Sequence, residues 1–146
     1  MNQVFLNSSY FKALIDDFDD FHKEAKDIFS LLNEQKTQLV TTNYIIDETL
    51  TLLRVKRNLQ SAIKLRDMIN AGSPTITIYR VISEDDADAW QWFVSDWSRL
   101  SFTDCVSFAV MKRLEITHVA TFDQHFKRAG FIIVKPAPNT LQKKTE

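Results

Sequence analysis

Four polar residues stand where they could share a cation: Asn7, Glu48, Asp104 and Asp123. Asn7 directly follows the short apolar run Gln3 to Leu6, and Asp123 directly follows Val-Ala-Thr-Phe. Glu48 lies in a helical segment whose apolar residues Ile45, Leu52 and Val55 recur on its own face. Asp104 opens the apolar stretch that continues its face through Phe108 and Met111. A carboxylate on an apolar stripe is costly unless it is paired or binds a cation. No Lys or Arg stands beside these residues in sequence to pair with them. Brought to one place, the three carboxylates would repel one another, and a divalent ion is the simplest compensation. Oxygen-only ligands suit Mg²⁺ or Mn²⁺. Such a site activates water and neutralises a phosphodiester, so the chemistry these residues suggest is metal-dependent phosphoryl chemistry.

Each position also has a purely structural explanation, and the sequence leaves both open. Ser101-x-x-Asp104 has the capping-box spacing, with Asp where Glu or Gln is usual. Asp123 is placed to cap the short helix after it, and Asn7 to cap the helix that starts at the two serines. Asp47 shares a more polar face with Asn43, Leu50 and Arg54 and is the weaker candidate.

The elements that must position these residues alternate. Strands are predicted at Gln3 to Leu6, Gln38 to Thr42, Thr75 to Val81, His118 to Phe122 and Phe131 to Val134. Helices are predicted at Tyr10 to Ile15, Phe21 to Leu32, from a Thr42 or Asn43 cap to about Arg57, and Leu59 to Ala71. Others run from a Ser83 cap through Trp97, from Ser101 or Thr103 through Leu114, and from Gln124 to Ala129. Asp16 to Asp20 reads as a solvated acidic connector. Strands alternating with helices predict an α/β fold, a three-layer α/β/α sandwich with a mainly parallel five-stranded sheet. In such sheets ligands bind beyond the carboxyl ends of the strands, where Asn7 and Asp123 fall.

With 146 residues, 45% hydrophobic and 25% charged, the chain reads as one globular domain over 1–135. Residues 136–146 are expected to form a poorly ordered tail. Two glycines exclude a Walker A loop and a G-x-G-x-x-G turn, and with them the nucleotide-binding readings that rest on those motifs. The single cysteine, Cys105, cannot form an internal disulfide and reads as a buried hydrophobe. His22, His118 and His125 show no metal-ligand spacing and are expected to stay out of the site. The net charge of −1 leaves nucleic-acid binding to a local basic patch or to bound cations. Arg99, Lys112 and Arg113, and Arg54, Lys56 and Arg57, are candidate phosphate contacts, with a solvated helix face as the plainer reading. Trp90, Phe93 and Trp97 share one helical stripe and Trp92 lies off it, which suits a core or an interface. No apolar run is long enough to span a bilayer and no signal peptide is evident, so a cytoplasmic location without membrane contact is expected.

Four stretches together resemble the PIN domain, and within it the VapC-type toxin ribonucleases. They are Val-Phe-Leu-Asn-Ser-Ser-Tyr-Phe-Lys-Ala-Leu-Ile-Asp, Thr-Thr-Asn-Tyr-Ile-Ile-Asp-Glu-Thr-Leu-Thr-Leu-Leu, Leu-Ser-Phe-Thr-Asp-Cys-Val-Ser-Phe-Ala-Val-Met and Val-Ala-Thr-Phe-Asp-Gln-His-Phe. The resemblance reaches to about Pro136, and the last two stretches at their separation are the most specific. It implies a metal-dependent endoribonuclease, the toxin of a toxin–antitoxin pair, that hydrolyses RNA phosphodiesters with Mg²⁺ or Mn²⁺. It also implies a homodimer and a small antitoxin that covers the active site. The implied metal and catalytic set is Glu48, Asp104, Asp123 and Asn7. Asp104, Asp123 and Asn7 would position the ion, and Glu48 would hold the site or orient the water. Asn7 departs from the family, which has an aspartate there; Ser8 and Ser9 keep the context. An amide oxygen coordinates a cation but brings no charge. Three readings of Asn7 stay open: a naturally inactive relative, a nuclease that works with three carboxylates, and a replacement of a native aspartate. The alternative to catalysis is a non-catalytic PIN-like module that binds RNA or protein. A receiver domain has a similar topology, but Asn7-Ser8 stands where it needs an acidic pair, and the third strand runs into Arg80-Val81.

Overall fold

The computed structural model describes residues 1–138. Five strands, β1 (Gln3–Leu6), β2 (Gln38–Thr42), β3 (Ile76–Tyr79), β4 (His118–Ala120) and β5 (Ile132–Ile133), form one sheet in the order β3-β2-β1-β4-β5. Every neighbouring pair is parallel. The chain steps from β1 to β2 to β3 in one direction, then crosses back to place β4 on the other side of β1. The strand order therefore reverses between β1 and β4, and the crevice beyond their carboxyl ends is where such a sheet binds ligands.

The helices are α1 (Ser8–Ile15), α2 (His22–Glu34), α3 (Asn43–Lys56), α4 (Leu59–Asn70), α5 (Ser83–Phe93), α6 (Phe102–Arg113) and α7 (His125–Arg128). α1 packs on α2, α3 and α4, while α6 packs on α5 and α7. Right-handed crossovers that lead away from β1 in opposite directions put these two groups on opposite faces. This is the three-layer α/β/α sandwich that the alternating pattern predicts.

β1 and α6 make the centre. Val4, Phe5 and Leu6 are all buried, as a strand covered on both faces requires. In α6 every residue from Asp104 to Met111 is buried, so this helix is apolar all round and central. Ser101 starts it: its hydroxyl accepts the Asp104 N–H at 3.0 Å. Glu115, at φ 57°, stops it, and the Ile116 N–H turns back to the Met111 carbonyl at 2.8 Å.

The long helix expected from Ser83 through Trp97 ends instead at Phe93. The Ser95 N–H bonds the Trp92 carbonyl in a tightened last turn, and Ser95, Asp96 and Ser98 carry the chain into a loop with Arg99 at φ 61°. Trp97 therefore leaves the stripe of Trp90 and Phe93. The predicted β3, β4 and β5 are each trimmed at their ends. Pro136 is buried, so packing extends one residue past the expected domain end, and the rest of the expected tail from residue 139 lies outside the described residues. Among the described residues no helix is long and apolar enough to cross a membrane.

A candidate metal centre at the β1–β4 crevice

β1 and β4 run in register, Leu6 beside Ala120, and the Asn7 N–H extends the ladder to the Ala120 carbonyl at 3.1 Å. This fixes Asn7 beside Thr121 at the mouth of the crevice. Asn7 occupies the N-cap position of α1, yet its side chain makes no capping hydrogen bond. Its Nδ2 donates to the Thr121 Oγ1 at 2.8 Å and more weakly to the Ser9 Oγ at 3.4 Å. The residue is 1% exposed, and its Oδ1 is buried with no hydrogen-bond partner. Thr121 also accepts the Asp123 N–H at 3.0 Å, and Ser9 accepts the Phe122 N–H at 2.9 Å. Two hydroxyls thus tie the residues after β1 to those after β4.

α6 delivers Asp104 from behind. Its carboxylate is buried in the first turn, where the helix N-terminus favours an anion. Burial nevertheless dominates. Burial first, then the Asp123 carboxylate, then Glu48, push the Asp104 carboxyl up to about 7, against a smaller downward pull from the Ser101 hydroxyl. Asp104 thus feels the charges of both Asp123 and Glu48. Asp123 is half-buried, and its Oδ1 accepts the His125 N–H at 2.9 Å. It therefore both shapes the turn into α7 and faces Asp104.

Glu48 comes from α3, which the Thr42 hydroxyl starts by accepting the Ile45 N–H at 3.2 Å. The stripe that α3 buries is Ile45, Thr49 and Leu53, one residue round from the face expected for Glu48. Leu52 is half-buried, and Val55 is 72% exposed. Glu48 is half-buried at the margin of that stripe, and its Oε2 is buried without a partner.

His125 was expected to stay outside the site and lies inside it. Its Nδ1 is 3.1 Å from the Asp123 Oδ1 and 3.8 Å from the Asp104 Oδ2. Ligand atoms of Asp104, Asp123 and His125 all fall within 4.8 Å of one another. Around an ion with bonds of about 2.1 Å, ligand atoms at right angles lie about 3.0 Å apart and opposite ones about 4.2 Å apart, so these separations suit a shared ion. The available signal was Asp123-Gln-His125 directly after a strand, since both residues must then sit at the strand's carboxyl end.

Two of the candidate phosphate contacts are committed elsewhere. Arg113 grips the buried Asp85 through two bonds of 2.8 Å, and Arg57 pairs with Asp16 at 3.0 Å and lies over the Phe18 ring. Arg54, Lys56, Arg99 and Lys112 are exposed. A cleft of about 340 Å³ bounded by α1, α2 and α4, lined by Leu14, Phe29 and Met68 among others, is separate from the carboxylates.

The model of the PIN domain matches residues 4–132 of this chain. The chain belongs to the PIN-domain family. This PIN domain is 30% identical over 134 residues to the 23S rRNA-specific endonuclease VapC20 of Mycobacterium tuberculosis, in two strains, a match that covers 91% of this chain and 98% of the relative. It also resembles the crystal structure of Mycobacterium tuberculosis VapC20, described as a sarcin–ricin loop cleaving toxin. The TM-score is 0.79 and the identity 31%, covering 92% of this chain and 100% of the other. The sheet and helices are thus those of the PIN fold that the four motifs imply.

Proposed function

We propose that this PIN domain is a metal-dependent endoribonuclease that hydrolyses RNA phosphodiesters, and the toxin of a toxin–antitoxin pair. The observation that carries this reading is a pair of buried oxygens with no partner, Asn7 Oδ1 and Glu48 Oε2, at the crevice where Asp123 and Glu48 oppose the charge of the buried Asp104. Buried acceptors without donors are rare and call for an ion or a water. Likeness to a toxin that cleaves the sarcin–ricin loop supports RNA as the substrate class.

Asp104, Asp123, Glu48 and the Asn7 amide oxygen would hold Mg²⁺ or Mn²⁺. When bound, that ion supplies Lewis acidity to water and to the phosphodiester. The residues of the chain supply position. Ser101 fixes the turn that carries Asp104, Thr121 and Ser9 hold the Asn7 amide by its nitrogen, and the His125 N–H fixes the Asp123 Oδ1. Glu48, at the margin of the α3 stripe, holds the site or orients the water. The protein works in the cytoplasm as a homodimer, and a small antitoxin covers the crevice; both proposals rest on the likeness to VapC-type toxins.

Asn7 weakens the site, because it offers an oxygen without a charge where an aspartate would add one. The test is RNA cleavage by this protein and by its Asn7→Asp variant, with Mn²⁺ and with EDTA. Cleavage with Mn²⁺ that EDTA abolishes, stronger in Asn7→Asp, is the expected result. Asn7 also favours a second reading, a PIN-like module that binds RNA or protein without cutting. Calorimetric titration with Mn²⁺ separates the two, since a pure binding module has no site-specific metal affinity.

A further inference from the structure

The orientation of His125 carries more than its proximity does. Its Nε2 lies 2.8 Å from the Ser98 carbonyl oxygen. A carbonyl only accepts, so Nε2 carries the proton, and in the neutral ring the lone pair is on Nδ1. The ring is held in place: Trp97 stacks on it with centroids 6.2 Å apart and planes 23° from parallel, and Arg128 lies over Trp97 at 4.6 Å. A backbone carbonyl holding the far N–H of an imidazole is the usual outer support of a metal-binding histidine.

Nδ1 itself is buried and makes no hydrogen bond, although the Asp123 Oδ1 is only 3.1 Å away. At that distance only direction can fail. Nδ1 thus stands among carboxylate oxygens at 3.1 and 3.8 Å without a hydrogen bond to either, so a proton there would gain only an unaligned ion pair. A lone pair there meets no such limit when an ion is its partner.

We infer that His125 is a nitrogen ligand of this metal centre, through Nδ1, so that the site takes a transition-metal ion such as Mn²⁺ or Co²⁺ in preference to Mg²⁺. The inference rests on the reading that a divalent ion sits on Asp104 and Asp123. Imidazole suits first-row transition ions, whereas Mg²⁺ keeps oxygen ligands and water. The added nitrogen offsets the carboxylate that Asn7 does not supply. Such a centre still binds a cation with three carboxylates, but it discriminates among cations differently from an all-oxygen site.

The test is pulsed electron paramagnetic resonance of the Mn²⁺-loaded full chain carrying isotopically labelled histidine. Calorimetric titrations with Mn²⁺ and Mg²⁺ accompany it, on the parent and on the His125→Ala and Asp104→Asn variants. The parent is expected to show hyperfine coupling to a directly bound imidazole nitrogen and to bind Mn²⁺ more tightly than Mg²⁺. His125→Ala is expected to lose that coupling and to bind Mn²⁺ roughly tenfold more weakly or worse, with a smaller change for Mg²⁺. Mn²⁺ binding that Asp104→Asn abolishes, but that shows no imidazole coupling in the parent, overturns the ligand assignment and leaves the metal-site reading standing. No Mn²⁺ binding sensitive to Asp104 overturns both. The spectrum of the parent needs no variant, so poor folding of His125→Ala does not obscure the result.

Discussion

Replacing Asp104 with asparagine keeps the shape of the site and removes the charge that its surroundings resist. In the metal-free protein the Asp104 carboxyl is raised from 3.8 to about 7 by burial, Asp123 and Glu48. The native state therefore binds more protons than the unfolded chain between those values, and stability falls as pH rises through that window. Below about pH 4 both states hold the proton and the penalty is absent; above about pH 7 both are ionised and it is fully present. A rise from 3.8 to about 7 corresponds to at most about 4 kcal/mol. For a chain of this size each kcal/mol moves Tm by roughly 2–4 °C, so Asp104→Asn should raise the metal-free Tm by at most about 16 °C at about pH 8. At about pH 4 the gain should nearly vanish. Saturating Mn²⁺ should close most of that gap, because ligand at a thousand times its Kd stabilises the parent by about 4.1 kcal/mol and has no site to act on in the variant. Differential scanning fluorimetry across pH, with EDTA and with Mn²⁺, reads all of this. A variant less stable than the parent in EDTA at about pH 8, or a difference that does not change with pH, would refute the reasoning.

Two further substitutions probe what holds the site. Arg113→Ala leaves Asp85, 1% exposed, without its partner and should cost about 3–5 kcal/mol in urea denaturation; a loss below about 1 kcal/mol contradicts the pairing. Burial works to raise the Asp85 carboxyl, but the Arg113 guanidinium and the Ile82 N–H outweigh it and hold it below the ordinary 3.8. The stability it contributes is thus present above 3.8 and lost as pH falls through its lowered value, a loss that should be absent from the acid denaturation of Arg113→Ala. Thr121→Val removes the acceptor of the Asn7 Nδ2 and the Asp123 N–H. It should cost about 1–3 kcal/mol for each orphaned donor and weaken Mn²⁺ binding in calorimetry, whereas unchanged Mn²⁺ affinity means that Asn7 and Asp123 need no such tether.

Much of this was legible in the sequence because it is local. β1 and β2 begin and end where the apolar runs do, and Ser101 caps α6 as its spacing predicts. The positions of Asp104 and Asp123 are also legible, since one opens α6 and the other lies just beyond β4. What the sequence misplaced depends on distant partners. Arg113 and Arg57 read as free cations until the fold sets them against Asp85 and Asp16, residues remote in the chain. Glu48 was placed near Asp104 on a stripe that the fold rotates by one residue, because α3 buries Thr49 as well as Ile45 and Leu53. Trp97 looked helical by periodicity, but short polar residues end α5 early and lay the indole on His125. His125 has no second histidine at ligand spacing to mark it in the sequence, because its partners are two carboxylates.

The central claim is that water, helped by a metal ion on Asp104, Asp123, Glu48 and Asn7, cleaves RNA. Analysis of the ends left by cleavage, with Mn²⁺ and with EDTA, tests it most directly. Direct attack by water leaves no cyclic phosphate, so the expected products are Mn²⁺-dependent fragments with a free hydroxyl on one side of the cut and a linear monophosphate on the other, absent with EDTA and absent for Asp104→Asn. Fragments that end in 2′,3′-cyclic phosphate and persist in EDTA would contradict it, because the attacking group would then be the RNA's own 2′-hydroxyl.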